Sequence, residues 1–76
     1  MALVRGLTKL DGERHQLHEE VEATYAVFER DGKGFVQINT YGRSTREIPG
    51  KVSQTIQLDR SGAESLARIL KSTFGL

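Results

Sequence analysis

Asp31-Gly32 lies between two runs of alternating apolar and polar residues, and this arrangement constrains the chain more than any other feature. Upstream, Val21, Ala23, Tyr25 and Val27 alternate with Glu22, Thr24 and Ala26. A period of two in β-branched and aromatic residues specifies a strand over 20–30. Asp-Gly accepts the positive φ angles of a type I′ turn. Downstream, Val36, Ile38 and Thr40 alternate with Gln37 and Asn39, a second strand over 35–41. A two-residue loop sets Arg30 opposite Lys33, Val27 opposite Val36 and Tyr25 opposite Ile38. Extending the loop through Lys33-Gly34 keeps the same faces together, whereas a three-residue loop mixes them, and burial of one face selects against that slip. One face then carries Val21, Tyr25, Val27, Val36 and Ile38. The other carries Thr24, Phe28, Phe35, Gln37, Asn39 and Tyr41.

Gly42 to Gly50 reads as a polar loop closed by the turn signal Pro49-Gly50. Lys51 to Leu58 reads as a third strand, with Val52, Ile56 and Leu58 on one side and Ser53, Thr55 and Gln57 on the other; Gln54 interrupts the apolar side. Ser61 and Glu64 match a capping box, in which each side chain satisfies a free backbone N–H of the first turn. A helix is predicted from there to Phe74. Ala63, Leu66, Ala67, Leu70 and Phe74 form its apolar stripe with Ile69 beside it, Arg68 and Lys71 suit the C-terminal end of the dipole, and Gly75 ends it. The fold class is therefore α+β: an antiparallel β-meander of three to four strands packed on one C-terminal helix, whose stripe covers the apolar sheet face. Residues 1–19 are expected to form an N-terminal arm, mobile or loosely docked, because Gly6 and Gly12 interrupt any helix there. Residues 20–76 form a single β-β-β-α domain.

A chain of 76 residues buries only about 60% of its unfolded surface. Such domains usually need disulfides, a metal or a partner subunit, and the absence of Cys removes disulfides and thiolate metal sites. A homodimer is the expected supplement. No apolar run approaches the ~20 residues that span a bilayer, and the N-terminus lacks the features of a signal peptide, so a soluble cytoplasmic protein is expected. His15, His18 and Glu19 suggest a metal site only if their segment is helical, and a solvated surface is the plainer reading, so neither metal nor cofactor is expected. Gly32-Lys33-Gly34 lacks the length and the Ser/Thr of a phosphate loop, and Ser44, Ser53 and Ser61 lie near no predicted His. The chain is read as not an enzyme.

The face turned away from the helix carries Phe28, Phe35 and Tyr41 among Thr, Gln and Asn. Net charge is only +1, yet it is unevenly distributed. Residues 13–29 hold five Glu and one Arg, whereas residues 30–51 hold Arg30, Lys33, Arg43, Arg46 and Lys51 against Asp31 and Glu47. Aromatic rings stack on unpaired bases while flanking cations hold the phosphates. The same rings also fit a cross-strand pair that steadies the hairpin, or a dimer contact. Two functional readings follow. One is a homodimer holding single-stranded DNA or RNA on this face, through Arg30, Lys33, Phe35, Tyr41, Arg43, Arg46 and Lys51. The alternative is a protein-interaction or regulatory module using the same face against a dimer mate or partner.

From Tyr25 to Leu70 the order is strand, tight hairpin, strand, basic loop, strand and capped helix. With Ile48-Pro49-Gly50-Lys51, Ile56-Gln57-Leu58, the helical Leu66 and Ile69-Leu70, and Val36-Gln37-Ile38 followed by Tyr41, this order resembles the PC4-like family of single-stranded DNA-binding transcriptional coactivators. The resemblance implies a homodimer packed through helices and strands. It also implies a sheet groove for unpaired DNA, with Arg30, Lys33, Phe35, Tyr41 and Lys51 at the matching positions. The family's four-stranded sheet calls for one more strand, for which residues 1–17 are a poor candidate.

Overall fold

The computed structural model describes residues 1–12, 14–42 and 51–76. Its regular elements are β1 (Ala2–Val4), β2 (Ala23–Arg30), β3 (Lys33–Tyr41), β4 (Val52–Leu58) and α1 (Arg60–Phe74). The strands form one sheet in the order β1-β4-β3-β2. The hairpin follows the alternating pattern: Asp31 and Gly32 both take positive φ, and Arg30 faces Lys33, Val27 faces Val36, and Tyr25 faces Ile38. β3 pairs antiparallel with β4, which completes the meander. The class is α+β, as the periodicities require.

Three features depart from the sequence reading. First, the N-terminus supplies the fourth strand: Ala2–Val4 runs parallel to β4, with Ala2, Leu3 and Val4 beside Ile56, Gln57 and Leu58. The expectation that this segment is a poor strand is overturned by a pairing that spans most of the chain. Second, the helix cap is Asp59 rather than Ser61. The Asp59 carboxylate accepts from Gly62 N–H at 2.8 Å, so the helix begins at Arg60 directly after β4. Glu64, freed from the box, accepts from Arg60 one turn earlier at 2.9 Å. Third, an irregularity between Thr40 and Tyr41 shifts the β3–β4 register, so Val52 pairs with Tyr41 instead of continuing the row of Ile56 and Leu58. Gln54, the interruption on the apolar side, pairs with Thr40 and is exposed. At its other end α1 stops where predicted, with Gly75 in the left-handed region donating back to the Lys71 carbonyl at 2.9 Å.

Side chains directly opposite one another share a sheet face. Val27, Val36, Leu58 and Val4 therefore stand in one row, and Tyr25, Ile38, Ile56 and Ala2 in the next. The helix packs over these rows at their β4 end, resting on β3 and β4. Gly62 permits this approach: a Cβ there would collide with the Val4 carbonyl oxygen and lie 3.3 Å from Leu58 Cδ2. Cover fades across the row, from 6% exposure at Leu58 through half-buried Val36 to 70% at Val27. The expectation that the stripe covers the apolar face is thus met only at one end. Leu58 is the one buried large apolar side chain among the described residues. No helix among them is long and apolar enough to cross a membrane.

Candidate nucleic-acid interface

The sheet face opposite α1 is built by the alternate positions: Thr24, Ala26, Phe28 and Arg30 from β2, Lys33, Phe35, Gln37, Asn39 and Tyr41 from β3, Val52, Thr55 and Gln57 from β4, and Leu3 from β1. None of these strand positions is Asp or Glu, and two are cations. Arg30 and Lys33 sit directly opposite each other at the hairpin end, next to the pair Phe28 and Phe35. Those rings stack with centroids 5.3 Å apart and planes inclined by 18°. They form the cross-strand pair that the turn geometry allows, and both are half-buried. A pair already stacked is a fixed plate, because each ring limits the rotamers of the other.

Beyond the plate runs a row of amides that periodicity alone read only as polar positions. Gln57 Nε2 donates to Gln37 Oε1 at 2.9 Å, and Gln37 Nε2 donates to Asn39 Oδ1 at 3.2 Å. Thr55 Oγ1 also donates to Asn39 Oδ1, at 2.8 Å. Thr55 is buried and the three amides are half-buried. Every buried side-chain polar atom among the described residues has a partner. Leu3, Phe28, Arg30, Phe35, Gln37 and Gln57 line a hollow of about 430 Å³, and Leu3, Gln37 and Gln57 also border a neighbouring hollow of about 290 Å³. Together the two hollows form a shallow track from the hairpin end toward β1. The contribution of Leu3 could not be anticipated without knowing that β1 pairs with β4.

The predicted site residues divide between the two ends of the face. Arg30, Lys33 and Phe35 gather at the hairpin end. Tyr41 lies about 20 Å farther along β3. Its hydroxyl is 3.0 Å from Thr24 Oγ1, so it braces the far end of β2 against β3. Lys51 is exposed immediately before β4. Arg43 and Arg46 lie outside the described residues, as does the Pro49-Gly50 turn signal. His15 and His18 fall in the exposed segment between β1 and β2.

Among the described residues, Asp59, at the junction of β4 and α1, is the acid whose ionisation the fold alters most clearly. The Gly62 N–H bond holds its carboxyl below the ordinary value of 3.8, assisted by the Arg5 guanidinium 3.2 Å away. Its role is structural: it caps α1 and ties the chain after β1 to the end of β4. No protein-family model matches this chain, nor does any curated protein or solved structure.

Proposed function

We propose that the protein is a non-enzymatic, cytoplasmic binder of single-stranded DNA or RNA that works as a homodimer and holds the strand on the sheet face opposite α1. One observation carries this reading: the stacked Phe28–Phe35 plate lies beside Arg30 and Lys33 on a sheet face whose strand positions include no carboxylate. An unpaired base has an exposed π-face for such a plate, and its phosphate is drawn to the adjacent cations. A duplex hides its base faces, so the plate favours single strands. The internally paired amide row keeps the track flat and polar without free charge. Tyr41, Lys51, Arg43 and Arg46 extend the proposed path beyond the plate. The PC4-like resemblance points the same way.

The test is a titration of the protein into labelled single-stranded DNA, single-stranded RNA and duplex DNA, followed by fluorescence anisotropy at several salt concentrations. Single strands should be preferred. Phe35→Ala should weaken binding on the order of tenfold, because a stacked base contributes about 1–3 kcal/mol. Replacing both Arg30 and Lys33 with Ala should flatten the plot of log affinity against log salt by about 1.4, since each phosphate neutralised by a cation adds about 0.7 to that slope. Unchanged affinity in Phe35→Ala, or no binding at low salt, would refute the reading.

A further inference from the structure

The amide row on the sheet face opposite α1 has a direction. Gln57 Nε2 donates to Gln37 Oε1, Gln37 Nε2 donates to Asn39 Oδ1, and Thr55 Oγ1 donates to the same Asn39 oxygen. An amide carries an acceptor on one arm and donors on the other, so amides joined in this way form a chain with two unlike ends. The Asn39 end leaves Asn39 Nδ2 as a donor, and the Gln57 end leaves Gln57 Oε1 as an acceptor. Neither atom has a hydrogen-bond partner among the described residues. Both side chains are half-buried, yet no buried side-chain polar atom among the described residues lacks a partner, so both free ends reach solvent.

Turning every amide over would join the row equally well with its ends exchanged. Thr55 decides between the two arrangements. Its hydroxyl lies 2.8 Å from Asn39 Oδ1, and the residue is only 8% exposed. With the Asn39 oxygen toward it, the single hydroxyl proton is paired. With the Asn39 nitrogen toward it, the hydroxyl would have to accept, and its own proton would lose the acceptor it has here at a buried position. Asn39 is therefore held with its oxygen toward Thr55 and Gln37. Gln37 then presents its oxygen to Gln57, and Gln57 is left with its oxygen free.

Gln57 lines the hollow of about 430 Å³ together with Phe28, Phe35 and Arg30. A base stacked on the plate in that hollow has its edge beside the Gln57 amide. Cytosine and adenine carry an exocyclic amino group on their pairing edge, a donor for a free oxygen; thymine and uracil carry a carbonyl oxygen in its place, which sets acceptor against acceptor. We propose that this face discriminates among the bases it holds: Gln57 Oε1 selects cytosine and adenine over thymine and uracil at the plate, and Thr55 is the positioning residue that fixes the direction of the row. This rests on the single-strand reading above and adds base selectivity to it.

Oligodeoxycytidine and oligodeoxyuridine of equal length, titrated by fluorescence anisotropy at mildly alkaline pH to keep cytosine unprotonated, give the test. Their bases share one ring size, so the edge decides the difference. The unsubstituted chain should bind the cytosine strand about fivefold more tightly, the contribution of one hydrogen bond. In Gln57→Leu the ratio should fall to about one while uracil-strand affinity is kept. Thr55→Val has nearly the same shape and removes the hydroxyl, so the row is free to turn over and the ratio should fall to one or below; Thr55→Ser keeps the hydroxyl and should keep the ratio. Circular dichroism melts establish that each variant is folded, and half-buried Gln57 carries the test if Thr55→Val does not fold. Equal binding of the two strands by the unsubstituted chain would overturn the inference and leave the single-strand reading standing, whereas no binding of either would sink both. A preference that survives in Gln57→Leu would also overturn it, and one that survives in folded Thr55→Val would overturn the role of Thr55.

Discussion

Gly62→Ala tests the joint on which the covered part of the sheet depends. At an exposed helical position this change stabilises, by up to about 1 kcal/mol, because Ala is the better helix former. Here the added Cβ meets the carbonyl oxygen of Val4, and Leu58 Cδ2 lies 3.3 Å away on another side. The carbonyl belongs to a strand paired with β4, so it cannot turn aside without breaking β1 from the sheet. The alternative is for α1 to rise, which uncovers Leu58, the best-buried apolar side chain. Overpacking of this kind costs about 1–3 kcal/mol. Full cover of a leucine contributes a similar ~1.5–3 kcal/mol. After the propensity gain, a net loss of about 1–2 kcal/mol remains, a fall in Tm of roughly 5–15 °C for a domain of this size. Thermal melts followed by circular dichroism, at one fixed protein concentration, measure it; a fixed concentration keeps any contribution from association the same for every variant. Gly6→Ala is the control, since a Cβ there meets nothing within 4 Å. If Gly62→Ala melts at or above the parent temperature, α1 does not approach β1 in the way described.

Two further outcomes follow from the local geometry. Gly32→Ala should destabilise by about 1–2 kcal/mol, because Gly32 holds a φ of 76° that a side chain resists; an unchanged Tm would contradict the type I′ turn. Asp59→Asn keeps an acceptor for Gly62 N–H but removes the charge. The folded-state carboxyl titrates below its unfolded value of 3.8, so the stabilisation from ionised Asp59 is complete above 3.8 and lost as pH falls through the folded value. Melts across this range should show the parent's advantage over Asp59→Asn shrinking with acid, and a constant difference would refute the assignment.

The hairpin was legible because its signals are local. Asp31-Gly32 specifies the turn, and period two on either side keeps the apolar residues on one face in the two-residue and the four-residue loop alike. The helix stripe and its Gly75 terminus were legible for the same reason. What escaped depends on distant partners. Ala2-Leu3-Val4 is too short to declare itself a strand; it becomes one because β4 offers an edge and Gly62 leaves room for it under the helix. Ser61 and Glu64 match the capping pattern better than Asp59 does, but Asp59 directly follows β4 and is engaged by Arg5, which fixes the helix start two residues earlier than a Ser61 cap would. In the candidate site, alternation placed Phe28 and Phe35 opposite each other. The amide row needed the β3–β4 register, which the irregularity at Thr40/Tyr41 kept out of reach of sequence reasoning.

The partial cover of the sheet separates the surroundings of its two faces. Side chains that alternate along a strand point to opposite faces, so Phe28 and Val27 are chain neighbours with separate surroundings. The plate at Phe28 and Phe35 is braced within the chain by ring stacking, and the amides beside it by their mutual hydrogen bonds. That face is preorganised without a partner, which lowers the ordering cost of receiving a ligand. The side chains of Tyr25 and Val27 on the other face have no such internal closure and are largely exposed. Substitutions at Phe35 or Gln37 should therefore alter nucleic-acid affinity more than substitutions at Tyr25 or Phe74, which lie on the other side of the sheet. If the helix faces join, the two plates lie on opposite outer surfaces of the dimer. One long strand could then engage both only by passing around the edge of the sheet, whereas short oligonucleotides would occupy each plate independently. Binding stoichiometry against oligonucleotide length thus reports the arrangement of the two faces as well as the affinity of either one.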